Sequence, residues 1–358
     1  MKILSVVIPV YNTEKYLVRC IDSIIIPEIL DRIEILIIND GSTDGSLAIA
    51  QKYQEQYPQA IKVVDKKNAG KGSCMNIGLD MATGKYFREL DSDDYFNKKI
   101  MIQYLDLLET VDTDIFITHY NIVNASENII TSYTFSKTTH NQILELDTFD
   151  FETCEETRAA VCMHSSTYRT KLLKDNNVRF QENVSFTDIE LVFLGLLYAK
   201  TIYFASCNLY QYFVGREGAS LEVTFDVAKN NRRKKHLSTV AKRLLSIYSS
   251  SEQNLSMARK KSLLIACSHV VENLYDKLLK FFDGKEDADT LKYLSEFDTV
   301  FCERLLMVCR MKVLGGLYIP HYWLWKKYGF IIGCYFPVAS FLKLKYFLIN
   351  NLSFTFLK

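Results

Sequence analysis

The chain has 358 residues, 48% hydrophobic and 24% charged, which excludes a disordered protein and leaves room for two domains. Its 43 Lys and Arg nearly balance 42 Asp and Glu, which excludes a general attraction to nucleic acid. Nine scattered cysteines, with no Cys-x-x-Cys pair, argue against a disulfide framework and against a zinc site.

The N-terminus, Met1–Pro9, lacks the long apolar core and small-residue cleavage site of a signal peptide, so a reducing cytoplasm is the expected setting. Ile3–Val10 is a nearly continuous apolar run, the pattern of a strand buried on both faces. A helix is expected over Glu14–Ile26, with Thr13 as its cap and Pro27 just beyond it. Strand Ile33–Ile38, helix Leu47–Tyr57, strand Ile61–Val64, helix Cys74–Met81 and strand Lys85–Leu90 follow, then helix Asn97–Leu108. Strand and helix alternating at this spacing make βαβ units and a parallel sheet.

Beyond residue 110 the pattern changes. Asp114–Val123 and Ile129–Phe135 flank a polar turn, which predicts an antiparallel hairpin. A short strand within Ala159–Tyr168, a short helix at Lys171–Asn176 and an apolar helix Leu191–Ala199 opened by Ser185–Glu190 come next. Strands at Ile202–Ala205 and Leu209–Val214 end in the turn Gly215–Gly218. The last third is helical. Leu237, Val240, Ala241, Leu244, Leu245 and Tyr248 recur at helix spacing, inside a tract from Val227 to Ser251 with seven Lys or Arg and no acid. Longer helical patterns cover Arg259–Phe282 and Thr290–Leu314.

In parallel sheets ligands bind beyond the carboxyl ends of the strands. Four polar segments fall at those ends: Tyr11-Asn12, Asn39–Ser46, Asn68–Ser73 and Asp91–Asp94. If the chain stays extended through Asp91 and Asp93, their side chains share a face. Carboxylates so placed call for a hard cation, and Mg²⁺ or Mn²⁺ keeps open positions for phosphate oxygens. The first strand leads into Val-Tyr-Asn-Thr and not a Gly-x-Gly-x-x-Gly turn, which excludes hydride transfer on a dinucleotide; the lysine loop of NTPases is absent too.

Together, Ser5–Asn12, Asn39–Ser46, the Asn68–Gly78 loop and Asp91–Asp94 resemble the family 2 glycosyltransferases over roughly residues 3–220. The resemblance implies a GT-A fold, an α/β, Rossmann-like and mostly parallel sheet with helices on both faces, followed by a helical C-terminal region. The expected division is a catalytic domain at 1–222 and a helical region with a membrane-associating tail at 223–358. It also implies transfer of a sugar from a nucleoside diphosphate sugar, a UDP-sugar foremost, to an acceptor hydroxyl, with inversion. By position, Pro9, Tyr11 and Asp40 would hold base and ribose, Lys71 would face the phosphates, Asp91 the ribose or metal, and Asp93 would ligate Mg²⁺ or Mn²⁺. Asp188 would be the general base, with Glu190 taking that role if Glu190→Gln is the inactive variant; the alternative is that Asp188 only caps its helix and Glu190 is solvated. Met163-His164-Ser165, Phe186–Glu190 and Tyr210–Gly218 look like a bacterial subgroup that builds capsular, exopolysaccharide or cell-wall glycans, with His164 facing the acceptor. The Gln-x-x-Arg-Trp segment of processive synthases is missing, which favours one sugar per encounter.

Two other functions fit parts of this pattern: a non-catalytic glycan-binding assembly subunit, and a sugar nucleotidyltransferase. The second should carry a basic Gly-rich loop after the first strand, and Val10–Lys15 does not. From Arg304 to Lys358 there are eight Lys or Arg, no acid and thirteen aromatics. Tyr328–Leu342 is uncharged, and as a helix would be about 22 Å long, short of the ~30 Å hydrocarbon core. Aromatics beside Lys favour the headgroup level, so the expected location is peripheral, at the inner face of the cell membrane, next to a glycan or lipid-linked glycan acceptor. The competing reading is a tail packed as core.

Overall fold

The computed structural model describes residues 2–135, 141–149, 161–216, 226–280 and 290. The chain divides into two compact units, Met1–Asn273 and Leu274–Lys358. Of the second, only the last residues of one helix and Thr290 are described.

β1 (Leu4–Val10) and β2 (Ile33–Asn39) are the two apolar runs, and almost every residue in them is buried. Helices α1 (Glu14–Asp22), α2 (Ser46–Gln56) and α3 (Lys71–Met81) alternate with β1, β2, β3 (Ile61–Asp65) and β4 (Tyr86–Glu89), as the βαβ pattern requires. β1 pairs in parallel with β2, from Leu4 beside Ile33 to Val10 beside Asn39, and with β4, where Val7 lies beside Glu89. β2 pairs in parallel with β3, where Asn39 meets Asp65. These registers set Val10, Asn39, Asp65 and Glu89 at one edge of the sheet.

The sheet continues through β5 (Tyr95–Phe96), β6 (Ile115–Val123), β7 (Ile129–Tyr133), β8 (Ile143–Glu145), β9 (Ser166–Arg169) and β10 (Thr201–Phe213), in the order β3-β2-β1-β4-β9-β6-β10-β5. β9 runs antiparallel to both β4 and β6, while β10 runs parallel to β6 over its length. The expected hairpin is β6–β7. The two strands expected at 202–205 and 209–214 are one long strand, because bulges between Ala205 and Tyr210 absorb the polar break without ending the pairing. β5 closes antiparallel on Tyr210 and Gln211, which brings the far end of β10 beside the acidic turn.

Helices α4 (Met101–Thr110), α5 (Thr170–Asp175), α6 (Thr187–Tyr198), α7 (Val227–Ser251) and α8 (Met257–Lys280) complete the described elements. α1 is shorter than expected: it stops at Asp22, and Pro27 opens a separate turn of 3₁₀ helix. The six apolar positions predicted on α7, from Leu237 to Tyr248, are all buried. Arg259 on α8 donates to the carbonyls of Leu196 (2.7 Å) and Ala199, satisfying the end of α6.

At the opposite end of the sheet from the acidic turn, buried Glu34 accepts hydrogen bonds from Ser5 Oγ, Thr83 Oγ1 and the backbone of Thr83 and Gly84. Burial pushes its carboxyl up, but these bonds outweigh it and hold the pKa below the ordinary value. α6 lies against β9 through Gly195, where a Cβ would fall 2.1 Å from the Tyr168 ring. Gly195→Ala is therefore expected to cost about 1–3 kcal/mol, read as a lower urea midpoint at unchanged slope. An unchanged midpoint would mean that this contact is loose.

Candidate active site

Three loops meet at the carboxyl ends of β1, β2 and β3. Asn12 takes a left-handed conformation (φ 52°), and its side chain accepts from the Thr43 N–H at 2.8 Å. Thr13 N–H donates to Ser46 Oγ, and Gly45 N–H donates to Glu14 Oε2 at 2.6 Å. The first two loops are thus laced together, and Tyr11 stands 52% exposed at their rim while Pro9 is half-buried in β1. Asp40 is buried, and both carboxylate oxygens face the third loop: they accept from Ala69 N–H (2.9 Å), Gly70 N–H (2.8 Å) and Lys66 Nζ. Gly70 has φ +83°, a backbone that favours glycine, and it delivers Lys71 to the start of α3.

The acidic stretch is a turn, not a strand. β4 ends at Glu89, and Asp94 N–H donates to the Asp91 carbonyl at 3.0 Å. Side-chain alternation therefore stops before Asp91, and the extended backbone on which a shared face for Asp91 and Asp93 depended is replaced by a turn. Ligand atoms of Asp91, Asp94 and His164 instead lie within 4.8 Å of one another, and Asp93 pairs with Arg216 at 3.1 Å. The turn is fastened from several sides. Arg19, with its guanidinium 4.5 Å and 4.4 Å from the ring centroids of Tyr95 and Phe213, donates to the Asp93 carbonyl. Thr13 Oγ1 holds Ser92, while Tyr210 O–H (2.5 Å) and Phe213 N–H (2.7 Å) hold the Asp94 carboxylate.

Lys71 reaches into this acidic ground. Its Nζ lies 2.7 Å from Asp91 and 2.5 Å from buried Glu89. Burial works against the ammonium, but Asp91, Glu89 and Asp188 outweigh it and hold its pKa well above normal. Burial pushes Glu89 up to about 7, against the pull of Lys71. Asp93 and Asp94 are also raised, by burial first and then by neighbouring carboxylates. Negative charge here exceeds what the nearby cations neutralise.

His164 closes the group. Its ring stacks on Tyr212 at 4.4 Å and lies 5.0 Å from Tyr210. Burial lowers its pKa to about 4, so it is a neutral imidazole at neutral pH and able to ligate or accept a hydrogen bond. Its backbone is fixed by Arg88, a fully buried guanidinium that donates to the His164 carbonyl (2.6 Å) and to Thr167 Oγ1 (2.8 Å).

Asp188 arrives on a separate support. Asn76 on α3 donates to the Phe180 carbonyl and accepts from its N–H, and Asn183 N–H donates to the Ala69 carbonyl. A Cβ at Gly72 would fall 2.0 Å from the Gln181 carbonyl oxygen, so this close seating needs glycine there. The segment 180–187 is thereby set against the Lys71 loop, and Phe186 (φ 71°) turns the chain into α6. Asp188, half-buried in the first turn, is close enough to raise the pKa of Lys71 and Glu89. Glu190 faces away. It is fully buried, accepts from Gln181 N–H at 2.9 Å and pairs with Arg243 of α7 at 2.5 Å. Glu190→Ala would strand Arg243 and an N–H group, and it is expected to cost about 2–3 kcal/mol in chemical denaturation. Wild-type stability in that variant would contradict the anchoring role.

The donor set suits a divalent ion. Two carboxylates and an imidazole converge, their surroundings carry surplus negative charge, and Tyr210 and Phe213 orient Asp94 as outer partners orient a ligand. Sequence reasoning named Asp91 and His164 but passed over Asp94, Glu89 and Tyr210. Asp94 and Glu89 were visible as acids beside the motif. Tyr210 was marked only as the first residue of the Tyr210–Gly218 block; the fold is what brings it 116 residues back along the chain to Asp94.

Residues 5–175 match the family model Glycosyl transferase family 2. The chain is 28% identical, over 90% of its length, to the minor teichoic acid biosynthesis protein GgaB of Bacillus subtilis (strain 168). It is 26% identical, over 62% of its length, to the poly(ribitol-phosphate) beta-N-acetylglucosaminyltransferase TarS of Staphylococcus aureus (strain Mu50 / ATCC 700699). It spans only 34% and 37% of those two proteins. Among solved structures, residues 1–349 of S. aureus TarS in complex with UDP-GlcNAc superpose with a TM-score of 0.59 at 21% identity, covering 85% of this chain and 82% of that one. The sheet order, the converging loops and these matches agree: residues 5–175 carry a family 2 glycosyltransferase domain, and the chain has the GT-A fold.

Proposed function

We propose that the protein transfers a sugar, with inversion, from a UDP-sugar to an acceptor hydroxyl during synthesis of a bacterial surface polymer. The observation that carries this is the meeting of three charged parts at the carboxyl ends of the strands: the Asp91–Asp94 turn with His164, the Lys71 loop, and the Asp188 loop. In this reading exposed Tyr11 and half-buried Pro9 take the base, and Asp40 positions the neighbouring loop that receives base and ribose. Lys71 is the fixed cation that faces the phosphates. Asp91 would hold Mn²⁺ or Mg²⁺ with Asp94 and His164, and Asp93 joins them where Arg216 releases it. When bound, the ion neutralises charge that builds on the departing diphosphate. Asp188 takes the proton of the acceptor hydroxyl as that oxygen attacks the anomeric carbon from the side opposite the leaving group. Glu190 does not compete for this role; its two oxygens are spent on Gln181 and Arg243.

TarS binds UDP-GlcNAc and is named for a beta product, which supports a UDP-N-acetylhexosamine donor and inversion here. Calorimetric titration tests the donor half: UDP should bind in the presence of Mn²⁺, and absence of any heat with UDP would overturn the reading. The membrane tail expected at residues 304–358 lies outside the described residues, and no described helix is long and apolar enough to cross a membrane. The reading keeps it as a surface contact near the acceptor. Deleting residues 317–358 should abolish sedimentation with anionic vesicles; a full-length chain that ignores such vesicles would remove this part of the proposal.

A further inference from the structure

The role proposed above leaves the basic tract of α7 unused. Of its seven Lys and Arg, Lys229, Arg232, Arg233, Lys234 and Lys235 all fall within the first nine residues of the helix. That is the electropositive end, where helix stability favours acids and disfavours cations. Packing does not account for all of them either. The buried side of α7 is carried by Leu237, Val240, Ala241, Leu244, Leu245 and Tyr248, whereas Arg232 and Lys235 are exposed. Both precede His236, Lys235 by one position and Arg232 by four, which sets Arg232 one helical turn before it on the same face.

His236 ties this basic face to the catalytic loop. Ser185 N–H donates to His236 Nδ1 at 3.1 Å, three residues before Asp188. One turn pair further along, Arg243 grips Glu190, two residues after Asp188, and donates to the Arg179 carbonyl at 2.6 Å. The same edge of α7 thus brackets Asp188 on both sides in sequence. Burial, and then the charges of Arg232 and Lys235, lower the His236 pKa, which favours the neutral imidazole that accepts from Ser185.

We propose that Arg232 and Lys235 form an acceptor track that holds a polyanionic chain, a polymer of phosphodiester-linked units, and leads it to Asp188. The inference rests on the transferase reading above and adds to it the class of acceptor. A hydroxyl on such a chain reaches the base only after its flanking phosphates are brought over the 185–188 loop. Two exposed cations on the helix that His236 ties to that loop lower the cost of assembling anions near Asp91, Asp93 and Asp188. A neutral oligosaccharide gains nothing from them. An anionic membrane surface is the competing partner for such charges, and the experiment separates it.

The test compares the full chain with Arg232→Gln/Lys235→Gln, using poly(ribitol phosphate) and a neutral oligosaccharide as probes. The wild type should bind poly(ribitol phosphate) in affinity electrophoresis, with an affinity that falls steeply as salt rises. The double variant should bind it at least about tenfold more weakly, with a shallower salt dependence. UDP affinity, measured in the same samples, reports whether the donor site and the fold survive. Unchanged polymer affinity in the variant, or no polymer binding by a wild type that binds UDP, overturns the proposal. Loss of anionic-vesicle binding with unchanged polymer affinity also overturns it, and assigns the face to a membrane. A wild type that binds neither polymer nor UDP counts against the transferase reading itself.

Discussion

Asp188→Asn should lower the transfer rate by about 10²–10⁴-fold and leave UDP affinity nearly unchanged. The substitution keeps shape and removes the proton acceptor. It also removes one acid from the first turn of α6, worth about 0.3–1 kcal/mol to the helix, too little to unfold it. The loop that carries Asp188 is held by hydrogen bonds between Asn76 and Phe180 and between Ala69 and Asn183, and by the close seating of Gly72 on Gln181, so it should stay in place. Parallel loss of UDP affinity would instead assign Asp188 a structural role. An active Asp188→Asn beside an inactive, folded Glu190→Gln would exchange the two roles, against the buried pairing of Glu190 with Arg243.

Removal of the divalent ion should have an effect of similar size. With excess chelator, or in Asp91→Ala, transfer is expected to drop by several kcal/mol of transition-state stabilisation, about 10³-fold. Asp91 belongs to the Asp91–Asp94–His164 group and faces Lys71 as well, so its loss leaves an ammonium paired with Glu89 alone. Asp93→Ala separates two arrangements of ligands. If Asp91, Asp94 and His164 hold the ion, Asp93→Ala retains measurable Mn²⁺ affinity and loses the Arg216 tie; if Asp93 is itself a ligand, Mn²⁺ affinity falls with Asp91→Ala and Asp93→Ala alike. Full turnover in chelator would sink the metal requirement altogether.

The sheet was legible because β1 and β2 are buried on both faces and must read as apolar runs, and because strand–helix alternation forces parallel pairing. The ends of those strands were legible for the same reason, which marked the segments that hold Asp40, Lys71 and Asp91; their roles, and that of Asp188, came from the resemblance to the family. The local geometry at Asp91–Asp94 was not. A period of two persists only while the chain is extended, and the Asp94-to-Asp91 hydrogen bond ends that extension one turn early. Glu89 read as part of a strand, and its pairing with Lys71 joins elements that sequence spacing alone does not place together. Arg88 had no reason to be singled out either, since a guanidinium is buried only where a prepared set of acceptors awaits it. Here that set is His164, Ser165 and Thr167, nearly eighty residues away. Glu190 was expected either to exchange roles with Asp188 or to stand in solvent; it is instead fully buried, turned toward α7 and paired with Arg243.

An inverting transfer from a UDP-sugar at these loops is tested by UDP release from a panel of UDP-sugars by the full chain with Mn²⁺, followed by NMR of the sugar product. Release is expected from one donor above all others, with a product of anomeric configuration opposite to that of the donor. Release of no UDP from any donor, or a product that retains configuration, would contradict it.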